Sequence, residues 1–172
     1  PPSNQAINEG VSVGASSIPQ KESFYAQIKS LNYLTNVLIK KEAVEKKWDF
    51  ALALNSEGSI TESATENFAI IDQKNVFRYP SLNQILRGTT LMRCLDLIMT
   101  QGLGILGVEE GPITLEEVAK AKVGMIIGTT WDVIPVNTLY SNHGEVLGKF
   151  HDFTLVKNLR LALKRDQGSH TL

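Results

Sequence analysis

Apolar and polar positions recur with two different spacings along the 172-residue chain. Short apolar or alternating runs bounded by Gly, Pro, Asn and Asp are typical of strands. Such runs predict strands at 10–14, 50–54, 59–62, 67–71, 76–79, 103–110, 123–127, 133–136, 138–140 and 145–147. Apolar residues three and four positions apart predict helices at about 31–47, 89–102, 114–121 and 152–164. Several strands flanked by four helices indicate one domain of the mixed α/β or α+β class.

Turn-forming residues indicate how some of these strands pair. The segments 55–58 and 72–75 each separate two strand predictions and are expected to be hairpin turns. Pro135 interrupts the apolar run near 133–140, which places this strand at an edge of the sheet, because proline cannot donate to a neighbouring strand. Thr114 and Glu117 have the spacing of a capping box and open the third helix.

A single lysine, Lys29, stands between a predicted strand and the first predicted helix. Residues 24–28 are aromatic or β-branched enough to predict a strand. Ser30 or Asn32 can cap the helix that follows. The apolar positions of that helix are Leu31, Leu34, Val37, Leu38 and Val44. Its polar positions are Lys40, Lys41, Glu42, Glu45, Lys46 and Lys47, a charge run that is expected to form a solvated face.

The position of Lys29 makes it a candidate nucleophile. A side chain at a strand-to-helix junction is held by two rigid elements and can be aimed into a cleft. Ile28 and Leu31 beside it would remove water from the ammonium group and favour the neutral, nucleophilic amine. The alternative is an ordinary surface lysine, because lysine is rarely buried without a partner.

Composition excludes several classes of function. A net charge of -1 with well-mixed charges gives no electrostatic basis for binding nucleic acid or an anionic membrane. The single cysteine, Cys94, cannot form an internal disulfide and is expected to be buried, which fits a reducing compartment. We therefore expect a cytoplasmic protein. His143, His151 and His170 lack metal-site spacing, so no metal is expected.

Four motifs occur in one order along the chain. They are 29–34 (Lys-Ser-Leu-Asn-Tyr-Leu), 60–68 (Ile-Thr-Glu-Ser-Ala-Thr-Glu-Asn-Phe), 85–90 (Ile-Leu-Arg-Gly-Thr-Thr) and 127–130 (Ile-Gly-Thr-Thr), the last followed by Pro135-Val136. Together they resemble the class IV aminotransferases, which include branched-chain and D-amino-acid aminotransferases and aminodeoxychorismate lyases. The resemblance runs from about Ser17 to about Ala162. It implies a mixed sheet or pseudo-barrel with flanking helices, and pyridoxal 5'-phosphate (PLP) as cofactor.

The resemblance assigns roles to particular residues. Lys29 matches the lysine that forms a Schiff base with PLP, and Tyr33 matches a tyrosine near the phenolic oxygen of the cofactor. Glu62 matches the carboxylate that keeps the pyridine nitrogen protonated, and the small residues after it would let a flat ring approach. Glu66, four residues later, does not match that position. Thr130 matches a position whose backbone helps to hold the substrate carboxylate.

The phosphate of PLP requires hydrogen-bond donors, and the two Gly-Thr-Thr segments supply candidates. Glycine allows close approach of the backbone, threonine hydroxyls donate, and the helix start after Gly88 offers free N–H groups. The candidate cofactor-binding residues beyond Lys29, Tyr33 and Glu62 are Leu86, Gly88, Thr89, Thr90, Gly128 and Thr129. The alternative for either segment is a turn followed by a helix cap. Trp48 and Trp131 are expected to be packing residues, although Trp131 is close enough to the second segment to line a substrate pocket.

The predicted activity is PLP-dependent transfer of an amino group between an amino acid of the branched-chain or D-amino-acid type and a 2-oxo acid. The first alternative is aminodeoxychorismate lyase, which eliminates pyruvate, and the second is a non-catalytic fragment or interaction module. The resemblance also implies that residues 1–172 are the large PLP-binding domain, that a smaller N-terminal domain is missing, and that the active unit is a homodimer. This form is therefore expected to be impaired.

Overall fold

The computed structural model describes residues 2–21, 23–29 and 31–169. Six helices lie within them: α1 (Asn4–Glu9), α2 (Ser23–Ala26), α3 (Leu34–Glu45), α4 (Thr89–Gln101), α5 (Leu115–Lys120) and α6 (Thr154–Ser169). The eight strands are β1 (Val11–Ala15), β2 (Phe50–Leu52), β3 (Asn67–Ile71), β4 (Val76–Tyr79), β5 (Gly107–Glu110), β6 (Val123–Gly128), β7 (Asp132–Tyr140) and β8 (Val146–Lys149).

The eight strands form one mixed sheet. Its order is β2-β1-β7-β6-β3-β4-β5, and β8 also pairs with β7. The β1–β2, β1–β7 and β4–β5 pairs are parallel, whereas β3–β4, β3–β6, β6–β7 and β7–β8 are antiparallel. The prediction of a mixed α and β fold with flanking helices is confirmed.

The core lies around strands β3 and β6 and the helices next to them. All five residues of β3 are buried, as are the first five of β6, which explains why β6 and the part of β3 after Asn67 lack polar side chains. Helix α4 packs against β6 and α6, and α6 packs against β7. Fully buried residues such as Phe68, Phe77 and Ile126 each contribute roughly 1.5–3 kcal/mol of transfer free energy. Cys94 on α4 is fully buried, as predicted.

Elements with strong local signals form where they were predicted. The β3–β4 hairpin turns at 72–75, where Asp72 Oδ1 accepts from the backbone N–H groups of Lys74 and Val76. Thr114 and Glu117 form a reciprocal capping box at the start of α5. Gly102 ends α4 with a positive φ of 69°, a conformation that glycine adopts without steric cost. Among the described residues, no helix combines the length and apolar character needed to cross a bilayer.

The predicted strand at 24–28 is wrong. Residues 23–26 form the short helix α2, and the N–H of Ile28 donates to the carbonyl of Tyr25 in the turn that follows. The preceding strand β1 already pairs with β2 on one side and β7 on the other, so it offers this segment no free edge. Aromatic and β-branched residues therefore did not produce a strand here, because β-propensity depends on pairing.

The apolar and polar positions of the first long helix do not correspond to buried and solvated faces. Its apolar positions are exposed, including Leu31 at 99% and Leu34 at 66%. Helix α3 buries Ile39, Glu42 and Ala43 instead. Glu42 can be buried because Ser16 and Ser17 satisfy its carboxylate with hydrogen bonds. The helix begins after Tyr33 and not after Asn32, and the alternative cap, Ser30, lies outside the described residues.

The predicted edge position of the strand near Pro135 is wrong for residues 138–140, which pair with both β1 and β8. Residues 132–140 form one continuous strand, β7, which pairs with β6 along its first half and with β1 and β8 along its second half. Pro135 stands opposite Met125 in the β6 pair. Proline removes only its own N–H group, and the residues on either side continue the pairing.

Candidate functional site

A cleft of about 440 Å³ brings together residues that are far apart in sequence, from Lys21 to Thr129. Four segments line it: the loop and first turn of α3, the 62–67 segment, the turn that leads into α4, and the end of β6. Nine of the predicted site residues line this cleft, namely Lys29, Tyr33, Glu62, Leu86, Gly88, Thr89, Thr90, Gly128 and Thr129. Thr130 is exposed and is not among the lining residues.

Lys29 lies in the connection between α2 and α3, at the wall of the cleft. Its side chain is exposed, as are those of Ile28 at 45% and Leu31 at 99%. The prediction that these two neighbours remove water from Lys29 is therefore wrong. Lys29 does line a cleft, as expected. However, the connection that carries it joins two helices, and not a strand and a helix.

Glu62 is held by the backbone of the neighbouring turn. The N–H of Leu86 donates to Glu62 Oε2 over 3.0 Å, so Leu86 contributes its main chain to the site. Burial of the Glu62 carboxyl raises its pKa to about 7, and the repulsion from Glu66 acts in the same direction. The Leu86 N–H and the positive charges of Lys21 and Lys29 partly oppose this rise. A carboxyl group in this state can hold or release a proton near neutral pH.

Gly88 begins the thirteen-residue helix α4 at the wall of the cleft. A glycine at this cap offers no side-chain acceptor to the N–H groups of the first turn. A Cβ at this position would lie 2.1 Å from Asn67 Oδ1, so a larger residue would displace the Asn67 amide. Asn67 in turn donates to the carbonyl of Leu86 over 2.9 Å and holds the turn in place. This helix start is therefore open to an anion.

The second Gly-Thr-Thr segment is the tight turn between β6 and β7. Gly128 pairs with Asp132 across the turn, and Asp132 has a positive φ of 58°. Arg160 of α6 donates to the carbonyls of Trp131 and Val133, over 2.8 Å and 3.1 Å. Helix α6 thereby fixes the turn that carries Thr129. Trp131 packs edge-to-face against Phe50, as expected of a packing residue.

Sequence reasoning assigned no role to several residues that line the cleft. They are Lys21, Asn36, Asn67 and Arg87. The ammonium of Lys21 lies 5.7 Å from the centre of the Tyr33 ring, and Asn36 donates to the carbonyl of Ala64. Asn67 could have been identified from the sequence, since a polar residue at the start of an otherwise apolar strand is unusual. Lys21 and Asn36 give no such signal, because they are ordinary polar residues in a loop and on an exposed helix.

The groups in the cleft match the chemical needs of PLP. A free helix start and the hydroxyls of Thr89, Thr90 and Thr129 suit a phosphate dianion. Glu62, with its pKa near 7, suits the pyridine nitrogen, and the exposed Lys29 amine suits the aldehyde carbon. Gly88 lines the cleft with its backbone, because it has no side chain. The residues present therefore fit this cofactor.

Comparison with known proteins shows the family. The family model described as "Amino-transferase class IV" matches residues 1–139. The D-alanine aminotransferase of Bacillus licheniformis is 35% identical over 144 residues, which cover 84% of this chain and 48% of that protein. The chain belongs to the class IV aminotransferase family.

Two solved structures share the fold. The branched-chain amino acid aminotransferase from T.th., solved with pyridoxamine 5'-phosphate, superposes with a TM-score of 0.80 at 22% identity. The match covers 98% of this chain and 55% of that chain. A structure described as a putative 4-amino-4-deoxychorismate lyase from Legionella pneumophila gives 0.77 at 21% identity, over 91% of this chain and 56% of that one. The chain spans about half the length of the curated relatives it matches.

Proposed function

We propose that residues 1–172 are the PLP-binding domain of an aminotransferase, which moves an amino group between an amino acid and a 2-oxo acid. One observation carries the proposal: Lys29, Glu62 and the start of α4 line the same cleft. When bound, PLP would supply an electron sink for the electrons left at the substrate Cα after its proton is lost. The roles below are those of the residues of this chain.

Lys29 is proposed as the catalytic residue. Its amine would hold the cofactor covalently, and after the substrate amine has taken its place it would carry the proton away from the substrate Cα. The exposure of Lys29 supports this role, because the side chain has room to move between the two positions.

Glu62 is proposed to bind the pyridine nitrogen. A carboxyl group with a pKa of about 7 shares a proton readily with a weakly basic ring nitrogen, and the Leu86 N–H keeps the carboxyl group in position. Tyr33 is proposed to lie near the phenolic oxygen of the ring. Lys21, close to the Tyr33 ring, would favour a negative charge on that oxygen.

The phosphate is proposed to bind between the two Gly-Thr-Thr segments. The first-turn N–H groups of α4 and the hydroxyls of Thr89, Thr90 and Thr129 are the donors. Arg87 also lines the cleft and adds a positive charge to this end of it. Thr130 is proposed to act through its backbone on the substrate carboxylate, at the exposed end of the β6–β7 turn.

A D-amino acid is the proposed amino donor, since the Bacillus relative is named a D-alanine aminotransferase. A branched-chain amino acid is the next candidate. The lyase alternative is supported by fold alone. We also propose that the active unit is a homodimer, supported by the exposed apolar side chains of Leu34, Val37 and Val44 on α3. We also propose a cytoplasmic location, which is supported by the buried free thiol of Cys94.

Borohydride trapping tests the covalent role of Lys29 without depending on turnover. Addition of PLP followed by reduction should place one cofactor on the peptide that contains Lys29. Lys29→Ala should abolish this label, whereas Lys74→Ala, an exposed lysine in the β3–β4 turn, should leave it unchanged. A label that persists in Lys29→Ala would move the role to another lysine, and no label in the unaltered chain would contradict the proposal.

An assay with matched substrates tests the reaction. D-alanine with a 2-oxo acid acceptor should give pyruvate and a new amino acid, and L-alanine should give less. Release of pyruvate from aminodeoxychorismate without any 2-oxo acid would identify the lyase instead. Binding of PLP without either reaction would favour the non-catalytic alternative.

A further inference from the structure

A second, small cavity adjoins the cleft and shares Lys21, Ala26, Asn36 and Glu62 with it. It is also lined by Gln20 and has a volume of about 20 Å³ in which the centre of a water-sized sphere fits. One water molecule needs about 10 to 15 Å³ of such space. The cavity is therefore large enough for a single water molecule and too small for an organic ligand.

Two side chains that line this cavity carry an oxygen atom without a hydrogen-bond partner. These atoms are Gln20 Oε1 and Asn36 Oδ1, and both are fully buried. Within the described parts of the chain they are the only buried side-chain polar atoms in this condition. Buried amide oxygens nearly always accept a hydrogen bond, from the protein or from an ordered water. A donor is therefore missing at a place where two unpartnered acceptors share one cavity.

Rotation of the Asn36 amide would not remove the problem. Asn36 Nδ2 donates to the carbonyl of Ala64, so turning the amide would break this bond and place the acceptor Oδ1 against another acceptor. A water molecule carries two donor hydrogens, one for each of the two amide oxygens. Its lone pairs then remain for a third group. The lining side chains that can donate to them are Lys21, Thr35, Thr61, Ser63, Gln84 and, when it is protonated, Glu62.

We propose that this cavity holds one ordered water molecule, which donates to Gln20 Oε1 and Asn36 Oδ1 and accepts from the protonated carboxyl group of Glu62. Gln20 and Asn36 are then positioning residues that act on Glu62 through the water. Gln20 precedes α2 and Asn36 belongs to α3, so the water ties together the segments on both sides of Lys29. The benefit for cofactor binding rests on the proposed function, in which Glu62 shares its proton with the pyridine nitrogen.

The water acts on the proton of Glu62 in a direction that can be measured. Because its lone pairs face Glu62, it stabilises the acid form, together with burial and the charge of Glu66. Lys21, Lys29 and the Leu86 N–H favour the ionised form, and they are expected to stay in place when Gln20 is changed. Loss of the water should lower the pKa of Glu62, whereas the mere replacement of a polar by an apolar neighbour would raise it.

Two experiments on the cofactor-free chain test the proposal. A high-resolution crystal structure should show one water within hydrogen-bond distance of Gln20 Oε1, Asn36 Oδ1 and Glu62. Gln20→Met removes one acceptor and keeps the length of the side chain. By carbon-13 NMR of labelled glutamate, this variant should lower the pKa of Glu62 by about half a unit or more, the change expected for one ordinary hydrogen bond. Gln101→Met, at the exposed end of α4, is the control and should change nothing.

A dry cavity, or a metal ion in it, would overturn the proposal. An unchanged or raised Glu62 pKa in Gln20→Met would also overturn it. If that variant does not fold, the crystal structure of the unaltered chain still decides the matter. Failure of the unaltered chain to bind PLP would contradict the proposed function and leave both readouts on the water intact.

Discussion

The guanidinium of Arg160 lies 3.3 Å from the carboxylate of Asp132, and the two side chains are only 12% and 6% exposed. The same guanidinium donates to the carbonyls of Trp131 and Val133. One arginine from α6 thus satisfies a buried charge and two backbone acceptors of the β6–β7 turn. Lys164, on the next turn of α6, forms an ion pair with Asp132, with 2.7 Å between Lys164 Nζ and Asp132 Oδ2. The turn that carries Thr129 is therefore held by side chains from the other end of the chain.

Arg160→Met should destabilise the fold by about 2–4 kcal/mol, because it leaves a buried carboxylate and two carbonyls with fewer partners. The unfolding free energy from urea denaturation measures this loss. Arg165→Met, an exposed arginine on the same helix, should change it by less than about 0.5 kcal/mol. Equal effects of the two substitutions would show that the Arg160 contacts contribute nothing specific.

Glu62→Gln should stabilise the cofactor-free chain at pH 8. The folded pKa of about 7 lies above the ordinary 4.5, so the folded state holds its proton more tightly than the unfolded state. Stability is then fully present below pH 4.5 and falls as the pH rises through 7. Glu62→Gln removes this ionisation and should raise the free energy of unfolding by about 2–3 kcal/mol at pH 8 and by almost nothing near pH 4.5.

Urea denaturation at a series of pH values checks this, with Glu57→Gln, an exposed glutamate, as the control. A stability difference between Glu62→Gln and the unaltered chain that does not depend on pH would contradict the raised pKa.

Glu42→Gln should have the opposite dependence on pH. Burial by itself would raise the pKa of Glu42, but hydrogen bonds from Ser16, Ser17 and Lys46 outweigh it and lower the pKa to about 2. The stabilisation is present above pH 4.5 and is lost as the pH falls toward 2. At pH 7 the substitution should lower the free energy of unfolding by about 2–3 kcal/mol, and this loss should become smaller as the pH falls.

Acid-induced unfolding followed by circular dichroism measures this effect. The matched control is Glu45→Gln on the same helix, whose carboxylate lies 3.6 Å from Lys41 in an exposed pair. Such pairs contribute little, so the control should change stability by less than about 1 kcal/mol. If Glu42→Gln were no worse than this control, the buried contacts with Ser16 and Ser17 would not be stabilising.

Thr90→Val tests the phosphate cradle. The hydroxyl is lost with little change in shape, so PLP should bind about five- to tenfold more weakly if Thr90 donates to the phosphate. Pyridoxal, which lacks the phosphate, should bind the variant and the unaltered chain equally. Thr100→Val, near the other end of α4, should affect neither ligand. Equal weakening for PLP and pyridoxal would place Thr90 outside the phosphate site.

Local chemistry determined the elements whose signals lie within a few residues. Asp72 accepts two bonds within its own hairpin turn, and Thr114 and Glu117 cap each other, so neither feature needs the rest of the chain. The same holds for α4, bounded by Gly88 and Gly102. The site motifs could also be recognised from the sequence, because they are defined by the type and order of their residues. Their roles as catalytic and binding residues stay predictions until they are tested.

The tertiary structure decided which surfaces are used. Residues 24–28 have strand propensity, but they form the end of α2 and a turn, and the preceding strand β1 already has partners at both edges. Glu42 has the pattern of a solvated residue and is buried only because Ser16 and Ser17 meet it from a distant loop. Pro135 suggested an edge strand, yet residues 138–140 of the same strand pair with both β1 and β8. Pairing and burial depend on partners far away in sequence, and no local pattern records which partners will be free.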